Sequence, residues 1–422
     1  MKQKVCAVIS CIVVGLVSCS MIGTAFLQKI SGNTGDKANA YDGSKDYLFM
    51  DDGNVEAVDT QPGNVFGKSL KMFENVKNIS ENITSDGYSY KMPFVLLKKT
   101  WDKYTGIDMT TSFSTNYESD TVVDVGNGHM SYVVNSFDTK YIENQIEFGK
   151  QMENKGINFL MFMTPFKLSE NSNIQSGPYT DRSAEIEKMG MQMFRDAGLN
   201  VISVSEHIEA EGLDRHELFF KTDHHWLPQT ALWANKLMCE NLNENYGFAI
   251  DTDVFAEENY NIVYADKNWL GTLGKKVTTA YCEPEPFPII IPKYDTDVTV
   301  FVSKTNTTMS GRVEDVLLDW DQLKEPDIYT RRNYDMYAYG DIAMLSIHNN
   351  KVNDGRRVLM IKRSFADAMI PYFASTVEYL DVIDLRAFKG SLQAYIDETK
   401  PDTVIMLYGV TEVTDESAYD FR

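Results

Sequence analysis

The run Ile157-Asn158-Phe159-Leu160-Met161-Phe162-Met163, stopped at Pro165, is almost continuously apolar. A strand with one wet face alternates apolar and polar side chains, whereas a strand apolar at nearly every position is buried on both faces, as in a parallel sheet covered by helices. A helix is predicted on either side, over 139–155 and over 183–197, the second closed by Gly198. A strand at Met130–Val134 precedes this unit and another at Val201–Val204 follows it. The same rhythm returns near the C-terminus. Strands are predicted at Val358–Ile361, Tyr379–Ile383 and Val404–Leu407, with helices over 365–374 and 392–399. Alternating strands and helices predict an α/β fold, a three-layer α/β/α sandwich around a parallel sheet. Residues from about 248 to 337 break the rhythm with Pro288–Ile291 and Val298–Val302, separated by Pro, Asn and Asp turns. They read as a β-rich insertion. No internal repeat is visible.

The N-terminus carries a different signal. After the cationic start Met1-Lys2-Gln3-Lys4, no charged residue occurs from Val5 to Gln28, a length that can cross a bilayer as a helix. The cationic end should stay in the cytoplasm, placing the remainder on the outer face. The apolar run continues past any cleavage point, which favours a signal anchor over residues 1–28. A lipoprotein is the second reading, since Leu16-Val17-Ser18-Cys19 reads as a lipobox, and a cleaved signal the third. Residues 29–90, rich in Gly, Asn, Asp and Ser, read as a stalk or lead-in, with a helix starting near Pro93. The folded domain is then 91–422. Hydrophobic and charged contents of 43% and 24% belong to a globular chain. A net charge of −21 excludes a general nucleic-acid binder, which needs cations against phosphates. Only Cys239 and Cys282 fall in the folded part; one bridge is conceivable, and their spacing suits no structural metal.

Two stretches carry residues suited to chemistry. Lys221-Thr222-Asp223-His224-His225-Trp226-Leu227-Pro228 enters a helix predicted over 231–242, with Pro228 in its first turn. A carboxylate two residues before an imidazole can bond one ring nitrogen and leave the other as a base, which pairs Asp223 with His225. His224 should point another way. The second stretch, Val358-Leu359-Met360-Ile361-Lys362-Arg363-Ser364-Phe365-Ala366, delivers Ser364 from a strand to a helix start. There a hydroxyl is exposed at the end of a parallel sheet, next to free backbone amides that can face an oxyanion. Serine also caps helices often, and a loop Asp and His can simply satisfy each other. Each stretch supplies what the other lacks, a nucleophile for a base. A metal on Asp223, His224 and His225 is not expected, because consecutive side chains point apart and no distant His completes a set. No cofactor is called for. Asp341 and Asp384-Leu385-Arg386 read as loop anchors, and Met191 and Met193 as core filler.

The run Asp223-His224-His225-Trp226 resembles the signature of the bacterial DHHW proteins, relatives of the SGNH-like alginate O-acetyltransferases. The likeness extends to Phe219-Phe220-Lys221-Thr222, Trp269-Leu270-Gly271-Thr272-Leu273-Gly274-Lys275-Lys276, Tyr337-Ala338-Tyr339-Gly340-Asp341, Ser364-Phe365-Ala366, Asp384-Leu385-Arg386 and Tyr408, roughly the last three hundred residues. The resemblance implies an SGNH-hydrolase-like sandwich with Asp-x-His placed before the serine. It also implies Ser364 as nucleophile, His225 as general base and acid, and Asp223 as orienting carboxylate. The implied chemistry is an acyl-serine followed by transfer to a sugar hydroxyl or to water. The backbone around Ser364 and Phe365, and the Gly271-Thr272 loop, are candidates for the oxyanion hole. Arg363 stands where relatives often carry an acidic residue. Implied partners are a cell-surface polysaccharide acceptor and a membrane-bound O-acyltransferase that exports the acyl group. A carbohydrate O-acetyl esterase and a catalytically silent glycan-binding protein remain as other expectations.

Overall fold

A computed structural model describes residues 122–134, 137–170, 172, 174, 181–409 and 416–422, with the short pieces 50–51, 54–55, 99–100 and 103. Two compact units are present, Met1–Lys91 and Met92–Arg422. In the first, β1 (Met50–Asp51) pairs antiparallel with β2 (Asn54–Val55). The segment 1–28 with Cys6, Cys11 and Cys19, the rest of the lead-in, and most of the helix expected from Pro93 lie outside the described residues. Among the described residues no helix is long and apolar enough to cross a membrane.

The second unit begins with a hairpin, β3 (Val122–Gly126) and β4 (His129–Tyr132), which forms its own two-stranded sheet. The strand expected at Met130–Val134 is thus half of a ribbon and not part of the main sheet. Then come α1 (Lys140–Asn154), β5 (Asn158–Thr164), α2 (Ser183–Asp196), β6 (Asn200–Ser203), α3 (Val204–Glu211), α4 (Arg215–Leu218) and α5 (Pro228–Tyr246). The middle of the chain carries β7 (Tyr260–Trp269), α6 (Thr272–Val277), β8 (Glu285–Pro292), β9 (Val298–Val302), β10 (Thr307–Gly311), α7 (Val313–Val316) and β11 (Met344–Asn349). The last part holds β12 (Arg357–Lys362), α8 (Ile370–Phe373), β13 (Tyr379–Ile383), α9 (Leu392–Thr399) and β14 (Thr403–Gly409).

The main sheet is eight-stranded, in the order β10-β9-β11-β13-β12-β14-β5-β6. Strands β13, β12, β14, β5 and β6 run parallel, and β11, β9 and β10 are added antiparallel at one side. The fold is therefore mixed α/β, and the expectation of a purely parallel sheet is corrected. The β-rich stretch 248–337 is also divided. Strands β7 and β8 make a separate ribbon, whereas β9 and β10 extend the main sheet. A connection as short as that between β9 and β10 permits only antiparallel pairing, so no crossover helix announces these strands as sheet members. Edge strand β10 (Thr-Thr-Met-Ser-Gly) is polar and partly exposed, as an edge open to water requires.

Alternation along the central strands accounts for their apolar sequence. Leu160, Phe162, Val358, Met360, Ile405 and Leu407 enter one core together with Leu232, Met238 and Leu242 of α5. Phe159, Met161, Met163, Leu359, Ile361, Val404 and Met406 enter a second, with Ile142 and Phe148 of α1 and Ile186 and Phe194 of α2. Neighbouring residues of one strand point to opposite faces, so each face is covered by its own helices. Each fully buried Phe here contributes on the order of 1.5–3 kcal/mol of transfer free energy. Cys239 and Cys282 are free thiols.

Because β12, β14 and β5 are parallel neighbours, the chain leaves β12 and β5 at the same edge. That edge, outside the carboxyl ends of the strands, is where α/β sheets place their sites.

Candidate active site

Ser364 lies one residue beyond the end of β12 and opens a 3-10 turn, Ser364–Ala368. The helix expected over 365–374 is broken into this turn and the short α8, because Pro371 has no N–H and its ring would clash with the carbonyl four residues back. The Ser364 hydroxyl caps nothing: the residue at the cap position is Arg363, with no side-chain bond. Beneath the turn lies the fully buried Lys362, whose ammonium donates to Asp367 Oδ1 at 2.6 Å and to the Gly340 carbonyl at 2.7 Å. Taking either partner from such a pair costs about 3–5 kcal/mol, so the turn sits on a rigid base.

The Asp-His loop is a narrow return of the chain. Phe219 bridges to Trp226, and Leu227 N–H donates to the Leu218 carbonyl at 2.8 Å. Its backbone is held from two sides. Glu285, at the start of β8, accepts from the amides of Lys221 (2.9 Å) and Thr222 (2.7 Å) and from the Thr222 hydroxyl (2.5 Å). Lys167, three residues past β5, donates to the carbonyls of Phe220 (2.5 Å), Lys221 (3.2 Å) and Asp223 (2.9 Å). Trp226 ties the loop to the serine turn through Nε1, which donates to the Phe365 carbonyl at 3.1 Å.

These constraints bring three side chains into line. His225 Nε2 lies 2.7 Å from Ser364 Oγ, across 139 residues of sequence. On the other side of the ring, Nδ1 lies 2.6 Å from Asp223 Oδ1, which also accepts from the His225 amide at 3.0 Å. The second oxygen of Asp223 accepts from the Thr272 amide at 2.6 Å. A proton on Nδ1 satisfies the carboxylate and leaves Nε2 as the acceptor for the serine hydroxyl. Asp223 is buried. Burial opposes its ionisation, but its histidine neighbours and the donors from His225 and Thr272 hold it well below the usual carboxylate range. The ring of Tyr334 is stacked on His225, centroids 4.0 Å apart at 12°, which fixes the imidazole plane.

The loop expected to furnish oxyanion donors does something else. Thr272 N–H is spent on Asp223, and Gly271 N–H donates to the Thr222 hydroxyl at 3.0 Å. The approach is so close that a Cβ on Gly271 would lie 2.4 Å from Asp223 Cβ and 2.5 Å from the Thr222 carbonyl. Only glycine fits there. Arg363 uses its amide on the Leu407 carbonyl, and its charge bears on Tyr408 and Tyr419. The amides of Ser364 and Phe365, in the first turn of the 3-10 helix, have no earlier carbonyl within that helix to bond. His224 does not point away: its ring centroid is 3.9 Å from that of His225. Asp223, His224 and His225 accordingly bring one donor atom each within 4.8 Å of one another. Two of the three are already engaged with each other and with Ser364, so a metal would have to replace the relay. Asp384 and Asp341 both accept from Arg386, and so hold loops as expected.

Three contributors were not anticipated from the sequence: Lys167, Glu285 and Tyr334. Lys167 left a trace, a single cation in the otherwise apolar Phe166-Lys167-Leu168 just after a strand. Glu285 and Tyr334 left none. Two polar clefts lie elsewhere. The larger, of about 600 Å³, is lined by Asn127, Lys167, Glu209, Asp214, Arg215 and His216 among others, and reaches neither Ser364 nor His225.

Two histidines couple this region to acid. Burial, aided by Lys167 and His216, lowers His129 to about 3, and burial with the His225 charge lowers His224 to about 3. Each stays neutral in the folded chain down to that pH, while in the unfolded chain each takes a proton below about 6.5. The unfolded state then binds more protons across the window, and stability falls as pH falls through it. Glu187 and Asp367, raised by burial to about 7, work in the opposite sense over the same window, so the histidine contribution is read as a difference. The denaturant midpoint of the wild type is expected to fall relative to that of His129→Gln as the pH goes from about 6.5 to 3. A difference that stays constant across that window would count against burial of the His129 ring as a neutral imidazole.

Residues 180–383 match the family model of the DHHW proteins. No curated protein matches the chain. Among solved structures, a DHHW family protein from Eubacterium siraeum superposes with a TM-score of 0.53 at 18% identity, covering 73% of this chain and 96% of that one. Bacillus cereus PatB1 superposes with a TM-score of 0.55 at 17% identity, covering 71% and 99%. PatB1 with a sulfonyl adduct gives 0.53 at 16%, covering 71% and 98%. At these identities the likeness is one of fold.

Proposed function

We propose that this chain, matched over residues 180–383 to the DHHW proteins, is an SGNH-like acyl-transfer enzyme, most simply an O-acetyltransferase of a cell-surface polysaccharide. One observation carries the reading: a hydroxyl, an imidazole and a carboxylate joined in series at 2.7 and 2.6 Å, at the carboxyl ends of the parallel strands of a mixed sheet.

In the proposed reaction His225 Nε2 takes the Ser364 proton as Oγ attacks an acyl carbonyl. The amides of Ser364 and Phe365 face the developing oxyanion. Collapse expels the donor's oxygen, which receives the proton back from His225, and leaves an acyl-serine. A sugar hydroxyl then gives its proton to His225 and attacks the acyl-serine. The ester passes to the sugar and Ser364 recovers its proton. Asp223 holds the tautomer and balances the imidazolium. Water in place of the sugar would make the same site an esterase. The apolar N-terminal run supports placement on the outer face of the membrane. An acyl group made in the cytoplasm would then need a membrane-bound O-acyltransferase as partner.

A chromogenic acetyl ester offered with and without cell-wall oligosaccharides tests the reading, alongside labelling by a fluorophosphonate or an organosulfonyl fluoride. Expected are labelling of Ser364, turnover of the ester and acetyl appearing on the sugar at the expense of acetate. Acetate alone would make it an esterase. A well-folded chain with neither labelling nor turnover would sink the enzyme reading in favour of glycan binding.

A further inference from the structure

We propose that Lys167 is a positioning residue for this reaction, holding the Asp223-His225 loop in register with Ser364. The proposal rests on the acyl-transfer reading above and concerns how its acid–base pair is kept in place.

Lys167 is 5% exposed and comes from the end of β5, two strands across the sheet from the serine of β12. Its Nζ meets three carbonyls of one short segment, those of Phe220, Lys221 and Asp223. Burial pulls the Lys167 amine down to about 7, but the three carbonyls it meets call for the three donors of an ammonium, since a neutral amine could serve only two of them. Burying a cation is costly, and an apolar side chain of the same volume would serve packing better. A purely structural lysine is hard to account for at this place. What the cation does is bind the carbonyl side of the segment whose amide side is bound by the carboxylate of Glu285. With its carbonyls held by Lys167 and its amides by Glu285, the backbone of residues 220–223 has little freedom to shift or rotate.

That constraint reaches the reacting atoms through Asp223. Its carbonyl is held by Lys167 at 2.9 Å, and its carboxylate spans the Thr272 amide and His225 at 2.6 Å each. His225 in turn meets Ser364 at 2.7 Å. A displacement of about 1 Å in such a chain costs about 100-fold in rate. Lys167 bonds backbone carbonyls and neither Ser364 Oγ nor the His225 ring, so its loss should lower kcat and leave substrate affinity alone.

The test uses the whole chain, with Lys167→Met to remove all donors and Lys167→Gln to retain two. Acetyl-ester kcat and KM, fluorophosphonate labelling rate and the thermal midpoint are measured on each. The expected result is a folded Lys167→Met with kcat and labelling reduced by about 100-fold and KM within about twofold, partly restored in Lys167→Gln. Folded variants with wild-type kcat would overturn the proposal. So would a rise in KM at unchanged kcat, or failure of both variants to fold, which would make Lys167 structural. If only Lys167→Gln folds, its kcat decides by the same criteria. A wild type that neither labels nor turns over ester would instead remove the acyl-transfer reading itself.

Discussion

Ser364→Ala is expected to lower acetyl-ester turnover by about a millionfold, to the level left by the remaining binding and amide groups. The size follows from what alanine removes. Without Oγ there is no nucleophile opposite His225 Nε2, and the base is left facing a methyl group. The fold should be indifferent. The hydroxyl is no helix cap, and the base under the turn, Lys362 with Asp367 and the Gly340 carbonyl, does not involve it. What the variant loses is the single bond to His225 Nε2, worth about 1 kcal/mol. Turnover and the thermal midpoint measured together check this. Residual activity within tenfold of wild type at an unchanged midpoint would show that the nucleophile is another group.

Asp223→Asn should cost about 10⁴-fold in kcat, by a subtler route. Asparagine is the same shape, and its one carbonyl oxygen must choose between the Thr272 amide and His225. If the oxygen goes to Thr272, the side-chain NH₂ faces His225 Nδ1 and forces the ring proton onto Nε2. That nitrogen can then no longer accept from Ser364. If the oxygen goes to His225, two N–H donors oppose each other at Thr272 in a buried place, at about 1–3 kcal/mol. Turned toward Thr272, the oxygen leaves the NH₂ opposed to the His225 amide as well, so either orientation leaves one buried N–H unpaired, at about 1–3 kcal/mol. Either also removes the charge that balances the imidazolium, so chemistry should fail while the chain stays folded. Steady-state kinetics with fluorophosphonate labelling check both. A kcat within tenfold of wild type would mean that the carboxylate does not set the tautomer.

The apolar strands β5, β12 and β14 were legible in the chain because burial on both faces leaves no polar position to obscure the signal. Strands β9 and β10 were equally visible as strands, yet their membership of the main sheet was not. An antiparallel hairpin looks alike whether it stands alone or extends a neighbour, and the deciding bonds come from β11, more than forty residues on. The broken helix after Ser364 was readable in principle from Pro371.

The sequence by itself indicated the α/β character and offered Asp223, His225 and Ser364 as candidates, because an Asp-x-His loop at a helix entrance and a serine after a buried strand are local patterns. Only the tertiary structure decided that these meet, that Gly271 and Thr272 serve Asp223 and not an oxyanion, that His224 packs on His225, and that Lys167 and Glu285 hold the loop between them. Apart from the packing of His224 on its neighbour, those contacts join residues about 50 to 140 positions apart. Backbone groups carry no residue identity, so a bond from Lys167 to three carbonyls or from Thr272 N–H to a carboxylate leaves no mark on the letters of the segment that supplies the backbone. It exists only once the sheet has brought the ends of β5 and β12 to one edge.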